Sequence, residues 1–458
     1  GPAGEKGAAQ AAYFGKRVVL VERSPHLGGA GINTGTIPSK TLRETALYFS
    51  GLRQRGLYGI DYSLRDGLTI QEFMYRERLV VENEWRIIAR NLDRHGIEVV
   101  HGEATLESPT AVRVQLAAGG ERRLTTRVIL LATGSSPHHP PDVPFEHPRI
   151  HDSDSILHLD RIPSTLAVVG GGVIGVEYAS IFTALGVQVT LIESRDRLVP
   201  FVDAEIGARL QGRLAGLGLR FVMGTRVSRI APDPAGVTLT LSTGEEVRTD
   251  VALFAAGRQS NIAGLGLEAL GVRLGNRGLV LVDEQYRTSV TGIYAAGDVI
   301  GFPALASTAM DQARVAMVHA FDLGYKERMA SVIPLAVYSI PELALVGLTE
   351  EACRQQGRPY LVGRAGYDKS PRGQIIGDTD GLLKLIFDPA DKRLLGVHLI
   401  GEQASELIHL GAMVMSTGGT IDAFIDAVFN YPTLTDSYKY AAYDGLGALR
   451  ASGAVRSA

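Results

Sequence analysis

The sequence predicts an α/β protein in which one strand–turn–helix–strand plan occurs twice, ahead of a C-terminal α+β unit. The first observation is a glycine turn set between an apolar strand and a helix, and the second is its partial repetition with equal spacings. The third is length, because 458 residues at about 100–200 per domain give two to four domains. Glycine is also abundant, as expected where backbone turns sharply or closely approaches a ligand.

The complete copy of this plan begins with an apolar run at residues 166–169. A G-x-G-x-x-G follows, then a helix-like stretch at 176–185 and a strand at 187–192; its glycines are Gly170, Gly172 and Gly175. Glu193 ends that strand, 18 residues after the last glycine. Glycines in such a turn allow a pyrophosphate to approach the helix N-terminus, and the acid binds ribose hydroxyls. The series predicts a dinucleotide-binding domain.

The N-terminus repeats the second half of the plan. Gly1 and Gly4 match the last two glycines of the motif, and Glu22 follows Gly4 by the same 18 residues. We therefore expect a first strand and first glycine ahead of Gly1, and a sequence record that lacks them. Both copies continue with alternating hairpin patterns, at 111–126 and 237–249, and with buried-strand runs at 128–134 and 251–257.

Composition excludes several classes of protein. The 46 basic residues nearly balance the 49 acidic ones, so no nucleic-acid or anionic-membrane footprint is present. Apolar runs are far shorter than the roughly 20 residues that span a bilayer. One cysteine, Cys353, excludes an intrachain disulfide and a cysteine-built metal site, and the scattered histidines show no ligand spacing. We expect no metal, no nucleic acid and no membrane partner, and a cytoplasmic location.

Several segments together resemble the flavoprotein disulfide reductase superfamily over essentially the whole chain. They are the two glycine motifs, Thr133 with Gly134, G-T-I-P-S-K at 35–40 and Y-A-A-G-D at 294–298. The resemblance implies two Rossmann-like FAD- and NAD(P)-binding domains and an α+β dimerisation domain. Its implied boundaries are an FAD domain at 1–150 (N-terminally truncated) and 270–330, an NAD(P) domain at 151–269 and a dimerisation domain at 331–458.

The resemblance also assigns roles to individual residues. Lys40 and Glu177 match a catalytic pair beside the flavin N5, where positive charge favours hydride arrival. The FAD-binding positions that it implies are Gly1, Gly4, Glu22, Arg23, Gly29, Gly31, Thr36, Lys40, Ala104, Thr133, Gly134, Asp298 and Ala306. The NAD(P)-binding positions are Gly170, Gly172, Gly175, Glu193, Arg195 and Gly257.

The departures from the superfamily are as informative as the matches. The two redox cysteines of disulfide reductases are replaced by Gly31 and Thr36. Their catalytic histidine and glutamate, in an H-P-T-x-x-E segment, are replaced by Tyr431 and Asp436. Because the thiols and the base are absent together, we expect no disulfide chemistry.

This pattern resembles one branch, the Si-specific NAD(P)⁺ transhydrogenases. The similar segments are I-N-T-G-T-I-P-S-K-T-L-R at 32–43, D-S-D-S-I-L at 152–157, Y-S-I-P-E at 338–342 and F-N-Y-P-T at 429–433. The branch implies flavin-dependent hydride transfer between NADPH and NAD⁺ in a homodimer or larger homo-oligomer. A flavin NAD(P)H oxidase or quinone reductase, and a scaffold without flavin, are the alternatives.

One hypothesis concerns how a single site accepts both nicotinamide dinucleotides. Glu193 stands where an acid binds the adenosine ribose, which favours NAD(H), whereas Arg195 and Arg197 follow at once and could hold the 2′-phosphate of NADP(H). We expect ribose binding from Glu193 and phosphate binding from Arg195. The alternative hypothesis is that both arginines are solvated loop residues.

Overall fold

The computed structural model describes residues 1–51 and 68–452. Its strands are β1 (Val19–Glu22), β2 (Glu98–Ser108), β3 (Ala111–Leu116), β4 (Glu121–Thr125), β5 (Ile129–Leu131), β6 (Ser135–Pro137), β7 (Ile150–His151), β8 (Thr165–Val169), β9 (Gln188–Glu193), β10 (Arg220–Met223), β11 (Val227–Asp233), β12 (Gly236–Leu241), β13 (Glu246–Thr249), β14 (Val251–Phe254), β15 (Arg258–Ser260), β16 (Ile293–Ala295), β17 (Leu335–Val337), β18 (Leu343–Gly347), β19 (Leu361–Gly366), β20 (Leu382–Phe387) and β21 (Leu394–Ile400).

Among the described residues, α-helices precede β1 and separate β8, β9 and β10, whereas β2 to β7 and β10 to β16 have no α-helix between them. They are α1 (Pro2–Tyr13), α2 (Gly29–Asn33), α3 (Thr36–Ser50), α4 (Ile70–Arg94), α5 (Val173–Ala184), α6 (Ala204–Gly216), α7 (Ala306–Phe321), α8 (Glu350–Gln355), α9 (Pro371–Ile376), α10 (Ala404–Ser416), α11 (Asp422–Asp426) and α12 (Ser437–Ala451). Short 3₁₀ helices lie at Ser155–His158, Asn276–Gly278, Asp298–Ile300, Tyr367–Lys369 and Leu434–Asp436. No helix in these ranges is both long and apolar enough to span a bilayer.

The N-terminal glycine turn leads into a sheet that mixes parallel and antiparallel strands. β1 pairs in parallel with β2, and β2 continues as an antiparallel meander with β3 and β4. β5 pairs in parallel with β16. Small residues let α1 lie close to this layer, since a Cβ on Gly7 would come within 2.4 Å of Leu130 Cδ2. The predicted strand ahead of Gly1 stays a prediction.

The second glycine turn lies in a five-stranded parallel sheet of order β10–β9–β8–β14–β7. Apolar residues fill β8 and β14, as expected for strands that are covered on both faces. β11, β12 and β13 form a separate antiparallel sheet, of which β12 and β13 make the predicted hairpin. The helix α5 begins at Val173, three residues before the predicted start, because the backbone turns into the helix directly after Gly172.

The C-terminal sheet is antiparallel, of order β17–β18–β21–β20–β19. Successive side chains of its strands point to opposite faces. Leu383 and Leu385 pack in one core with α10 and α12, whereas Leu382 packs in another core with apolar residues of α6. The sheet is thus covered on both faces. The mixed α/β class predicted from the sequence is confirmed, whereas the domain boundaries remain predictions.

Candidate functional site

A cavity of about 2490 Å³ lies among β1, β5, α1, α3 and the start of α5. Ligand sites usually measure roughly 300–1,000 Å³, so this one has room for a large dinucleotide cofactor. Its wall brings together Glu177 and every residue predicted to bind FAD, namely Gly1, Gly4, Glu22, Arg23, Gly29, Gly31, Thr36, Lys40, Ala104, Thr133, Gly134, Asp298 and Ala306.

The N-terminal glycine turn presents bare backbone to this cavity. Gly1 is the N-cap of α1 and gives no side-chain cap, and Pro2 carries no N–H, so the N–H groups of Ala3 and Gly4 are the ones that can face an anion. Gly29, at φ 57°, crosses directly beside it, and a Cβ there would stand 2.7 Å from Gly1 Cα. Only glycine fits this crossing, which makes it a suitable place for a phosphate to approach.

A side-chain clamp holds the loop that carries Gly29. The Trp85 indole donates to Asn33 Oδ1 at 2.7 Å, and the Asn33 amide donates to the carbonyl oxygens of Leu27 and Gly29. His26 stacks on Trp85 with ring centroids 3.7 Å apart. Trp85 comes from α4, and no sequence motif singled it out. The clamp fixes the loop against the glycine turn.

Asp298 is oriented by two residues that the sequence analysis did not single out. Ser135 Oγ donates to Asp298 Oδ2 at 2.8 Å. Arg258 donates to the same Ser135 hydroxyl at 2.7 Å and to the Ser135 carbonyl oxygen at 2.7 Å. Because β6 pairs with β15, this relay joins the cavity to the end of the parallel sheet. Asp298 thus faces the cavity in a fixed orientation.

Lys40 and Glu177 form an ion pair in the cavity wall, although 137 residues separate them in sequence. Lys40 Nζ lies 2.9 Å from Glu177 Oε1 and 2.8 Å from Oε2. The Glu177 carboxylate is buried, and it also accepts the Tyr338 backbone N–H at 2.9 Å and the Ser39 hydroxyl at 3.4 Å. A buried carboxylate needs such partners. The pair therefore holds a positive charge at the surface of the cavity.

Tyr338 contacts both members of this pair. Its ring lies under the Lys40 ammonium, 4.8 Å from centroid to Nζ, within range of a cation–π contact. Burial and the nearby Glu342 raise the pKa of the Tyr338 hydroxyl. In the sequence, Y-S-I-P-E at 338–342 is only a segment that resembles a known family. Nothing local in that segment signals a contact with a lysine about 300 residues earlier.

The second glycine turn is as tightly packed as the motif requires. Gly170 has φ 113°, and a Cβ there would lie 2.6 Å from Ala255 O. A Cβ on Gly175 would lie 1.9 Å from Gly170 O, so glycine alone allows α5 to pass so close to β8. A Cβ on Gly172 would meet open space, and Gly172 leaves the N-terminus of α5 without a side-chain cap. This helix end is open to an anion.

Glu193 and Arg195 form a bidentate pair beside this turn. Arg195 Nε lies 3.0 Å from Glu193 Oε1, and Nη2 lies 2.7 Å from Oε2. The Gly171 N–H also donates to Oε2 at 2.6 Å. Burial opposes ionisation of Glu193, but these hydrogen bonds outweigh it and lower the pKa of its carboxyl from 4.5 to about 2. The guanidinium remains half exposed, so it can also face a ligand.

Helix α5 links the second glycine turn to the cavity wall. Gly170, Gly172, Gly175, Glu193, Arg195 and Gly257 are not part of the cavity wall, whereas Val173, Ile174 and Glu177 of α5 are. Gly257, at φ 104°, ends the run after β14, the strand next to β8. A dinucleotide bound at the N-terminus of α5 can therefore extend along this helix to the Lys40–Glu177 pair.

The replaced redox positions also lie at the cavity. A Cβ on Gly31 would stand 3.0 Å from Pro2 Cγ, a tight fit for a side chain. Cys353 is fully buried in α8, within a small apolar cluster of the C-terminal sheet. Tyr431 is exposed, and Asp436 belongs to the 3₁₀ helix Leu434–Asp436. The described residues thus place no thiol in the cavity wall.

Comparisons with known proteins agree with this site. The family model for pyridine nucleotide-disulphide oxidoreductases matches residues 1–313, and the model for the dimerisation domain of that family matches residues 333–442. The chain belongs to the pyridine nucleotide-disulphide oxidoreductase family.

Curated relatives and solved structures narrow this class. Proteins named soluble pyridine nucleotide transhydrogenase are 42% identical in Mycobacterium tuberculosis and 38% identical in Pseudomonas fluorescens. The alignments cover 98% of this chain and 96% and 97% of those relatives. Among solved structures, LpdA from M. tuberculosis is 29% identical to this chain, with a TM-score of 0.88 over 97% of each chain. The HOCl-induced flavoprotein disulfide reductase RclA from Escherichia coli is also 29% identical, with a TM-score of 0.86 over 97% of this chain and 98% of RclA.

Proposed function

We propose that this protein transfers hydride between NADPH and NAD⁺, with a bound FAD as the carrier and no redox disulfide. The observation that carries the proposal is the Lys40–Glu177 pair, set in a large cavity next to a second dinucleotide turn. The chain has one cysteine, Cys353, which is buried in α8. The relatives named soluble pyridine nucleotide transhydrogenase support the same activity.

The residues of the cavity fit FAD. The free N-terminus of α1 and the bare crossing at Gly29 suit a pyrophosphate, and Glu22 at the end of β1 suits a ribose. Asp298, oriented by Ser135, offers an acceptor for a polyol chain. We propose that the residues named above for FAD hold the cofactor in this way.

When bound, the flavin would supply a two-electron centre that accepts hydride from one nicotinamide and returns it to another. Lys40 places a positive charge at the wall where a ring system would lie, and Glu177 holds the ammonium there. Tyr338 packs its ring against the Lys40 ammonium. The chain needs no general acid or base for hydride transfer, in agreement with Tyr431 and Asp436 at the positions discussed above.

Both nicotinamide dinucleotides would use the turn at Gly170, one after the other. We propose that Glu193 accepts hydrogen bonds from the adenosine ribose and that Arg195 binds the 2′-phosphate of NADP(H). The half-exposed guanidinium supports this assignment, since it can turn to a ligand phosphate while Glu193 keeps the Gly171 N–H. One ion pair would then serve two substrates.

The direct test is turnover of NADPH with thio-NAD⁺ as the acceptor, without oxygen. We expect one thio-NADH for each NADPH oxidised by the flavin-loaded protein, and none with Lys40→Met. Lys369→Met is the matched control, because Lys369 is exposed and lies outside the cavity wall, and it should behave as the unaltered protein. NADPH oxidation that requires oxygen or a quinone and yields no thio-NADH would instead assign an oxidase or quinone reductase.

We also propose a symmetric homodimer closed by residues 331–458, in the cytoplasm. The match to a dimerisation domain supports the assembly, as do large apolar side chains left exposed near the F-N-Y-P-T segment. Val428 is 93% exposed and Tyr431 is 71% exposed. Light scattering should give twice the mass of the chain, and Val428→Asp should shift the mass toward a monomer and lower activity. A fully active monomer would overturn this assembly.

A further inference from the structure

Lys384 is a fully buried lysine in the middle of strand β20. It points to the sheet face that packs against α6, whereas its neighbours Leu383 and Leu385 point to the opposite face. Its Nζ lies 2.8 Å from Asp203, 3.0 Å from Glu205 and 2.5 Å from Glu350. The three carboxylates have the spacing of a cation site, and the ammonium lies among them.

The cluster joins two parts of the chain that the sequence places far apart. Asp203 and Glu205 belong to the start of α6, which follows the second glycine turn, whereas Lys384 and Glu350 belong to the C-terminal unit. Burial alone would lower the pKa of the Lys384 ammonium, but the carboxylates outweigh it and raise the pKa above its ordinary value. The lysine is therefore a charged, buried link.

Asp203 is the centre of this link. Its Oδ1 accepts both the Lys384 ammonium and the Glu205 N–H, at 3.1 Å for the latter, and so caps α6. Its Oδ2 accepts the Glu350 N–H at 3.3 Å, at the start of α8. Arg364 donates to Glu205 at 3.0 Å and strengthens the same contact. The first turn of α6 is thereby fixed to β19, β20 and α8.

The chain between Glu193 and Asp203, here called the nucleotide loop (residues 194–202), ends at this fixed point. Val199 is buried at φ 34°, a strained value for a β-branched residue, and its N–H donates to Gly171 O at 2.9 Å. Arg197 donates to the Val202 carbonyl oxygen at 2.6 Å. The loop thus packs on the glycine turn, and both of its ends are held. Strand β9 holds one end and Asp203 holds the other.

We propose that Lys384 is a positioning residue for nicotinamide dinucleotide binding: it fixes Asp203, and through it the nucleotide loop that carries Arg195. The inference rests on the proposed function, which assigns this loop to the adenosine end of the substrates. It makes the affinity of the NAD(P) site depend on a residue of the C-terminal unit. No contact between Lys384 and the substrate is involved.

A merely structural role has a different signature. A lysine that only holds two units together would change the unfolding temperature and leave the affinity of the folded protein unaltered. A positioning role changes the affinity in folded protein and spares the flavin, because none of its contacts reaches the cavity wall.

The experiment compares Lys384→Met with Lys384→Met/Asp203→Asn, which removes one charge of each sign and so guards against misfolding. Lys392→Met is the matched control, since Lys392 pairs with Asp422 inside the C-terminal unit. The oxidised, flavin-containing proteins are titrated with NADP⁺ and with NAD⁺ by calorimetry. Flavin content is measured by visible absorbance and folding by circular dichroism.

We expect the dissociation constants of NADP⁺ and NAD⁺ to rise by roughly fivefold or more in both Lys384 variants, with full flavin content. Lys392→Met should match the unaltered protein. Folded Lys384 variants that bind both nucleotides normally overturn the inference and leave the proposed function intact. Unaltered protein that binds both nucleotides yet transfers no hydride overturns the proposed function, and the affinity comparison still decides the role of Lys384.

Discussion

The two glycine turns share one sequence plan but differ in their charges. At the N-terminal turn, Glu22 is half-buried, and its carboxylate accepts the Ser24 N–H at 3.0 Å. At the second turn, Glu193 is buried, paired with Arg195 and bonded to the Gly171 N–H. The first turn opens on the large cavity, whereas the second lies beside a loop fixed from another unit.

In the proposed function, the first turn holds a bound cofactor and the second exchanges its ligands, and this difference in charge fits those two tasks. A cofactor that stays bound needs an enclosing cavity and one fixed set of partners, such as the Asn33–Trp85 clamp and the Ser135–Asp298 bond. Two substrates that differ by a phosphate need a site whose charge can be rearranged. In the proposed function the Glu193–Arg195 pair supplies such a site, because its guanidinium is half exposed. The predictions below test this contrast.

The largest effect is expected at the first turn. Asp298→Ala removes the acceptor that Ser135 orients, so the protein should lose its flavin and its yellow absorbance on dialysis. Asp283→Ala is the control, since Asp283 forms an exposed pair with Arg287. Full retention of flavin by Asp298→Ala would contradict the assignment of Asp298.

At the second turn, Arg195→Ala should weaken the binding of NADPH and leave the binding of NADH unchanged. Loss of one charge-assisted contact to a phosphate corresponds to roughly 1–3 kcal/mol, which is about a five- to 150-fold rise in the Michaelis constant. Arg229→Ala, at an exposed position of β11, is the control, and Arg197→Ala tests the other arginine of the loop. Equal losses for both nucleotides would show that Arg195 does not discriminate, and a loss confined to Arg197→Ala would move the role to Arg197.

A smaller effect is expected where the two regions meet. Tyr338→Leu removes the ring beneath Lys40 but keeps the backbone N–H to Glu177. A cation–π contact contributes roughly 0.5–2 kcal/mol, so anaerobic flavin reduction by NADPH should slow by about two- to thirtyfold. Tyr338→Phe keeps the ring and should reduce normally. Equal slowing in both variants would locate the effect in the hydroxyl group instead.

The smallest effect is a pH dependence of stability. The pKa of Glu193 is about 2 in the folded protein and 4.5 without its partners, so its stabilising contribution is complete above about pH 4.5 and is lost as pH falls toward 2. The urea midpoint should therefore fall more steeply over this interval in the unaltered protein than in Glu193→Gln. Arg195→Ala should resemble Glu193→Gln, because Arg195 contributes the largest lowering of this pKa. Identical slopes in all three proteins would argue against the pair.

Local sequence patterns predict those elements of the fold that depend on neighbouring residues. The spacing of Gly170, Gly172 and Gly175 predicts a strand, a turn and a helix because each glycine meets a nearby backbone or ligand requirement. Strand alternation likewise predicts the hairpin of β12 and β13. The Lys40–Glu177 pair could be predicted only from the resemblance to a known family, since no local pattern joins residues 137 positions apart.

Contacts between elements that are far apart in the chain could not be predicted from the sequence. Lys384 stands in an apolar run at 382–387, which hints at a buried charge, but its partner Asp203 lies 181 residues away. Tyr338 and Trp85 acquire their contacts in the same way, through packing of elements that no local pattern pairs. A buried polar residue in an apolar strand is the one signal that could have pointed to the Lys384 cluster.

The central claim is that one flavin carries hydride between two nicotinamides without help from a thiol. The most direct measurement is anaerobic reduction of the flavin-containing protein with one equivalent of NADPH, followed by addition of NAD⁺ and recording of the flavin spectrum. We expect NADPH to bleach the flavin and NAD⁺ to restore its spectrum, with one NADH formed per flavin reoxidised. A reduced flavin that stays bleached with NAD⁺, and returns only with oxygen or a quinone, would contradict it.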